Sequence, residues 1–142
     1  IFNLTTIKTK SSGFTLIELL VVVAIVGIIA AVGISSYSGY ISSSERKSAE
    51  NIMQQISLGQ TEYYSANGSY YHSSAGECTP SSAFSTNLET NLLGGADVLT
   101  TDFNYEMCTY NDASNYMVKA KAKTGSCVIK MTAHGTFTRA NC

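Results

Sequence analysis

Hydrophobic and polar positions follow three successive patterns along this chain. From Phe14 to Ile34 every residue is apolar or small except Thr15 and Glu18. As a helix this run reaches about 31 Å, just enough to cross the hydrocarbon core of a bilayer. Beyond it the pattern becomes one-sided. Ala49, Ile52, Met53, Ile56 and Tyr63 recur at threes and fours, with Glu45, Arg46, Glu50, Gln54 and Gln55 mainly on other faces. Asn67-Gly68 is a stop signal, so the spacing predicts one helix over Thr15–Ala66, about 78 Å long. Its first half has no domain to pack on and must bury itself in lipid or in copies of itself. Its second half has a single stripe to dock on a sheet.

The third pattern has period two. Residues 67–101, rich in Ser, Thr, Gly and Asn, read as a long loop holding a short helical turn, with Phe84, Leu88, Leu92 and Leu93 as anchors. Phe103–Tyr110, Asn115–Lys123 and Ser126–Ala133 then alternate as half-buried strands, and Thr136–Arg139 adds a fourth. A two-residue turn at Thr124-Gly125 sets Ala122 opposite Cys127, Ala120 opposite Ile129 and Val118 opposite Met131. On the other face it sets Lys121 with Val128, Lys119 with Lys130 and Met117 with Thr132. A four-residue turn at 111–114 brings Phe103, Tyr105 and Met107 beside Ala122, Ala120 and Val118, and puts Glu106 opposite Lys119. One register thus makes all strands agree on an inner face. A two-residue turn at His134-Gly135 places Cys127 opposite Cys142, within disulfide reach. Cys78–Cys108 follows by elimination, and Cys78–Cys127 with Cys108–Cys142 is the rival pairing.

Composition changes this picture in a few places. The 142 residues suit one domain with an added membrane segment, and the 13% of charged residues is low mainly because the apolar span is uncharged. A net charge of −1 gives no uniform attraction to nucleic acid or membrane. The distribution says more: nine acids and two bases lie between Glu45 and Asp112, then five bases and no acid follow. Lys8 and Lys10 ahead of the span favour a cytoplasmic start and an outward C-terminal part. A cleaved secretory signal competes, but Val32, Gly33 and Ile34 continue the run past every small-residue cleavage site. The four cysteines lack CxxC spacing and read as two disulfides in an oxidising compartment. His72 and His134 have no ligand or triad spacing. With no phosphate loop, nucleophile motif or paired carboxylates, neither an enzyme nor a cofactor is expected. Tyr63, Tyr64, Tyr70 and Tyr71 read as packing of the helix end under the loop.

Glu18 is the costly residue, because a carboxylate in lipid needs a partner. Gly13-Phe14-Thr15-Leu16-Ile17-Glu18-Leu19 resembles the processing motif of type IV pilins. The resemblance implies cleavage between Gly13 and Phe14 by a prepilin peptidase on the cytoplasmic side, and N-methylation of Phe14. It also implies pairing of Glu18 with the Phe14 amine of a neighbouring subunit. The implied fold is α+β, a type IV pilin fold. In it a long N-terminal helix lays its C-terminal half on an antiparallel sheet of three to four strands. The implied layout is a leader at 1–13, a transmembrane and filament-core part at 14–36, an amphipathic half at 37–66, an αβ loop at 67–101 and a sheet with a disulfide-bounded C-terminal region at 102–142. Many family members carry a proline in the helix where this chain has Gly33-Ile34-Ser35-Ser36, which weakens a helix without removing its hydrogen bonds.

The resemblance also implies partners. Subunits wait in the inner membrane as single-pass precursors, C-terminal part in the periplasm. An assembly platform there then builds them into an extracellular helical filament serving adhesion, motility or DNA uptake. Lys119, Lys121 and Lys123 share one strand face, with Lys130 across from Lys119. The plainer reading is a solvated face meeting neighbouring subunits. The sharper one is a DNA-contacting stripe, since some pilin relatives act in DNA uptake. A pseudopilin of a type II secretion system is the alternative within the family. A signal-anchored periplasmic enzyme or binding protein is the alternative outside it.

Overall fold

In a computed structural model, residues 12–142 are described. Lys8, Lys10 and most of the expected leader lie outside them. The long helix α1 covers Leu16–Asn67 and contains 52 residues, within one residue of the expected limits at each end. The chain divides into two compact units, one up to Ile41 and one over Ser42–Cys142, and α1 contributes to both.

Residues of the first unit expose their apolar side chains: Phe14 is 88% exposed, Ile17 71% and Val32 65%. Helix α1 is long and apolar enough there to cross a membrane.

The second unit is α+β, a helix layer packed on one face of an antiparallel sheet. Strands β1 (Tyr105–Asp112), β2 (Asn115–Ala122), β3 (Val128–Thr132) and β4 (Phe137–Ala140) form an antiparallel sheet in sequential order. On its inner face Met107, Val118, Ala120, Ile129 and Met131 meet Ala49, Met53 and Ile56 of α1. Within the long loop, where a short helical turn was expected, residues Ser82–Leu92 form a full helix, α2, whose N-cap Ser81 accepts a hydrogen bond from the Phe84 N–H. Its Leu88 and Leu92, one turn apart, enter the same core. Next to them Gly59 of α1 lies against the Leu92 backbone, leaving no room for a Cβ.

The hairpins decide which side chains face the helix. β2 and β3 pair as expected, including Lys119 opposite Lys130. The β1–β2 turn is shorter than expected. Asp112 pairs with Asn115, and Ala113 closes the turn in the left-handed region at φ 55°. This two-residue shift keeps every side chain on its face, but sets Tyr105 opposite Ala122 and Cys108, not Glu106, opposite Lys119. The β3–β4 loop is one residue longer than expected: Ala133, His134 and Gly135, the last at φ 85°, sit between Thr132 and Thr136. An odd shift exchanges faces. Ile129 therefore lies opposite Arg139, which points inward to the buried Glu50 of α1. Glu50 is thus part of the packed stripe, not of another face.

The exposed edge of β1 is covered. Ser85 of α2 accepts from the Met107 N–H at 3.0 Å, and Ser73 and Thr109 exchange hydrogen bonds. Gln60 of α1 clamps the start of the loop, its amide donating to the Tyr71 carbonyl at 2.7 Å and accepting from the Tyr71 N–H at 2.8 Å. The buried Glu89 of α2 gathers the loop's end, one oxygen accepting from the N–H groups of Val98, Leu99 and Thr100.

Candidate functional site

Two regions carry the expected functional residues. At the start of α1, Phe14 and Glu18 are exposed. Thr15 and Glu18 form a reciprocal cap. The Glu18 carboxylate accepts from the Thr15 N–H at 2.8 Å, and the Thr15 hydroxyl accepts from the Glu18 N–H at 3.3 Å. The lone carboxylate therefore has an intrachain partner that hydropathy alone does not reveal, although the T-x-x-E spacing of a capping box announces it. Gly13 stands before the helix with open space around it.

The second region is the outer face of the sheet, where the lysines do not share one environment. Lys121 and Lys123 are exposed. Lys119 and Lys130 both donate to Oε1 of Glu77, at 3.1 and 2.7 Å. Glu77 thus offsets the facing ammonium groups, a role expected of Glu106, which instead lies opposite Lys121. The Lys130 and Lys119 hydrogen bonds hold the Glu77 carboxyl below its usual range, and the Glu77 bond raises Lys130. The signal that would have found Glu77 is its place one residue before Cys78.

Cys78 is bonded to Cys108 of β1, with a Cα separation of 6.4 Å, and the pair is buried beside Tyr110, Phe84 and Met117. Burial pushes the Tyr110 hydroxyl up. The loop is thereby fastened across the outer face next to Lys119. Cys127 is bonded to Cys142 at a Cα separation of 4.4 Å. In the observed register Asn141, not Cys142, continues the ladder opposite Cys127. Asn141 adopts φ 56°, and that left-handed step carries Cys142 to its partner. Among the described residues, no group of three or more His, Cys, Asp or Glu side chains is placed to hold a metal.

Two family models fit this arrangement. The "prokaryotic N-terminal methylation motif" matches residues 8–34. The family described as "Type IV minor pilin ComP, DNA uptake sequence receptor" matches residues 35–142. The chain belongs to this type IV minor pilin family. Similar curated proteins include the fimbrial protein EcpC of Eikenella corrodens, 40% identical over 44% of this chain and 40% of its own length. The type IV major pilin protein PilE1 of Neisseria gonorrhoeae is 39% identical over 53% of this chain and 47% of its own length. The type IV major fimbrial protein FimA of Dichelobacter nodosus is 55% identical over a shorter stretch, 27% of this chain and 24% of its own length. The alignments thus span less than half the length of these relatives. No solved structure matches the chain.

Proposed function

We propose that this chain is a minor subunit of a type IV pilus whose pilin domain binds DNA at its lysine-bearing outer face. The observation that carries the reading is the minor-pilin family match over residues 35–142, on a domain whose four outer-face lysines lie on two adjacent strands or just beyond their ends. In this reading the precursor sits in the inner membrane through its apolar helix. A peptidase cleaves between Gly13 and Phe14, Phe14 is N-methylated, and the assembly platform draws the subunit into the filament. Glu18 then exchanges its Thr15 partner for the Phe14 amine of a neighbouring subunit. A charged pairing there sets register more than it adds stability.

DNA contact through lysines and phosphates has a defined signature. Affinity for duplex falls steeply with salt and changes little when lysine contacts alone are read against different sequences. Lys121→Ala with Lys123→Ala should weaken binding and flatten the salt dependence, by about 0.9 in log–log slope for each phosphate no longer neutralised. Binding untouched by these substitutions and by Lys119→Ala with Lys130→Ala would sink the DNA reading. The filament reading is tested separately. Mass spectrometry of sheared filaments should find a mature chain beginning at methyl-Phe14. Glu18→Ala should leave cleavage intact and impair incorporation, whereas substitution of Gly13 should stop cleavage.

A further inference from the structure

Lys119 and Lys130 face each other across the β2–β3 ladder, an arrangement that repels unless an anion sits between them. The anion here is the carboxylate of Glu77, and both ammonium groups end on the same oxygen. The gap it fills has the charge and the donor pair that a phosphate oxygen takes. Glu77 is not buried in this role: its side chain is 54% exposed, against 17% for Lys119 and 36% for Lys130. An exposed ion pair of this kind is weak enough to be displaced.

We propose that Glu77 is a built-in competitor for the DNA backbone, occupying the Lys119–Lys130 phosphate site until duplex displaces it. The inference rests on the DNA-binding reading above and adds its regulation. The tether makes the competition effective. Glu77 adjoins Cys78, whose bond to the fully buried Cys108 fixes the loop beside Lys119, because Cys108 lies directly opposite that lysine. A carboxylate held this way competes at an effective concentration in the millimolar range, about that of a short-linked second module. Of the four outer-face lysines, the free protein therefore leaves only Lys121 and Lys123 unengaged for a passing phosphate. Weak, backbone-only encounters are suppressed, and a duplex gains the two further lysines only when its other contacts hold it long enough to move Glu77.

The test uses the full chain in detergent micelles and a fluorescein-labelled duplex of random sequence, with anisotropy read between about 50 and 200 mM salt. Glu77→Gln should raise affinity roughly 3- to 10-fold at the low-salt end and steepen the log–log slope by about 1 to 2. The gain should vanish when Lys119→Ala and Lys130→Ala are added. Wild-type binding with no gain from Glu77→Gln overturns the competitor while leaving the DNA reading in place, as does a gain that survives loss of both lysines. Absence of binding by every variant overturns both. A measurement without DNA guards against a misplaced loop. Acetylation by an amine-reactive ester should be slower at Lys119 and Lys130 than at Lys121 and Lys123, and Glu77→Gln should speed it only at the first pair. Equal rates at all four lysines in the wild type would overturn the proposal.

Discussion

Replacing Gly59 by alanine should weaken the Ser42–Cys142 unit, the reverse of the usual effect in a helix interior. Alanine in place of glycine ordinarily stabilises a helix by about 1 kcal/mol. Here a Cβ would collide with the carbonyl oxygen of Leu92 and fall 3.0 Å from its carbonyl carbon and 3.1 Å from its Cβ. The obstacle is backbone, not the end of a flexible side chain. Leu92 ends α2 and is buried in the core, and Glu89, one turn before it, holds the loop beyond. Relief requires the end of α2 to move by roughly 1 Å, and overpacking of this kind costs up to about 3 kcal/mol. Subtracting the propensity gain leaves a loss of about 2 kcal/mol, or about 8–16 °C in Tm for a unit near 100 residues. Near-UV circular dichroism of the full chain in detergent follows the buried tyrosines and so reports this unit. Gly39→Ala, in the same helix with open space around it, is the control and should leave that melting unchanged. A Gly59→Ala protein melting at or above the wild-type temperature would refute the packing argument.

Further outcomes follow from other contacts. Gln60→Ala strips the Tyr71 N–H and carbonyl of their partner and should cost about 2–4 kcal/mol in denaturant unfolding; a loss below about 0.5 kcal/mol would show that water replaces the amide freely. Desolvation lowers the His72 pKa from its ordinary 6.5. The unfolded chain therefore binds a proton first, stability present above about pH 6.5 is lost as pH falls towards the folded-state value, and His72→Gln should flatten that slope between about pH 7 and 5. Removing the Cys78–Cys108 bridge, which closes 30 residues, should cost about 3.6 kcal/mol, and removing Cys127–Cys142, which closes 15, about 3 kcal/mol. Equilibrium unfolding of the paired Cys→Ser proteins checks the order, and a larger loss at the shorter loop would mean that native contacts outweigh chain entropy.

Much of this architecture is legible from apolar spacing. The limits of α1, the four strands and the β2–β3 register follow from hydrophobic period and turn residues, since one face must be buried throughout. What escaped were features set by a single residue of turn geometry or by a side chain that replaces backbone. Ala113 closes a turn that its residue type does not advertise. Helix α2 was legible only as a short turn, because it has few apolar residues and its full length depends on Ser81 and on docking of Leu88 and Leu92. Gln60 and Glu89 look like surface residues until the loop wraps over them. The lysine stripe was legible as a row. Its division into two engaged and two exposed members was not, because Glu77 reaches it only through the disulfide-fastened loop.

The three-residue β3–β4 loop has a consequence for how this surface can change. Strand faces depend on whether a register shift is odd or even, so if the turn closed on His134 and Gly135 alone, with Ala133 paired to Thr136, the whole of β4 would rotate by half a pleat. Arg139 would turn outward, joining the lysine-bearing face and abandoning Glu50, while Thr138 would turn in towards the helix. A change of turn type in this short hairpin would thus move a positive charge from the helix-facing side to the basic face with no residue substituted, so the turn sets both faces together.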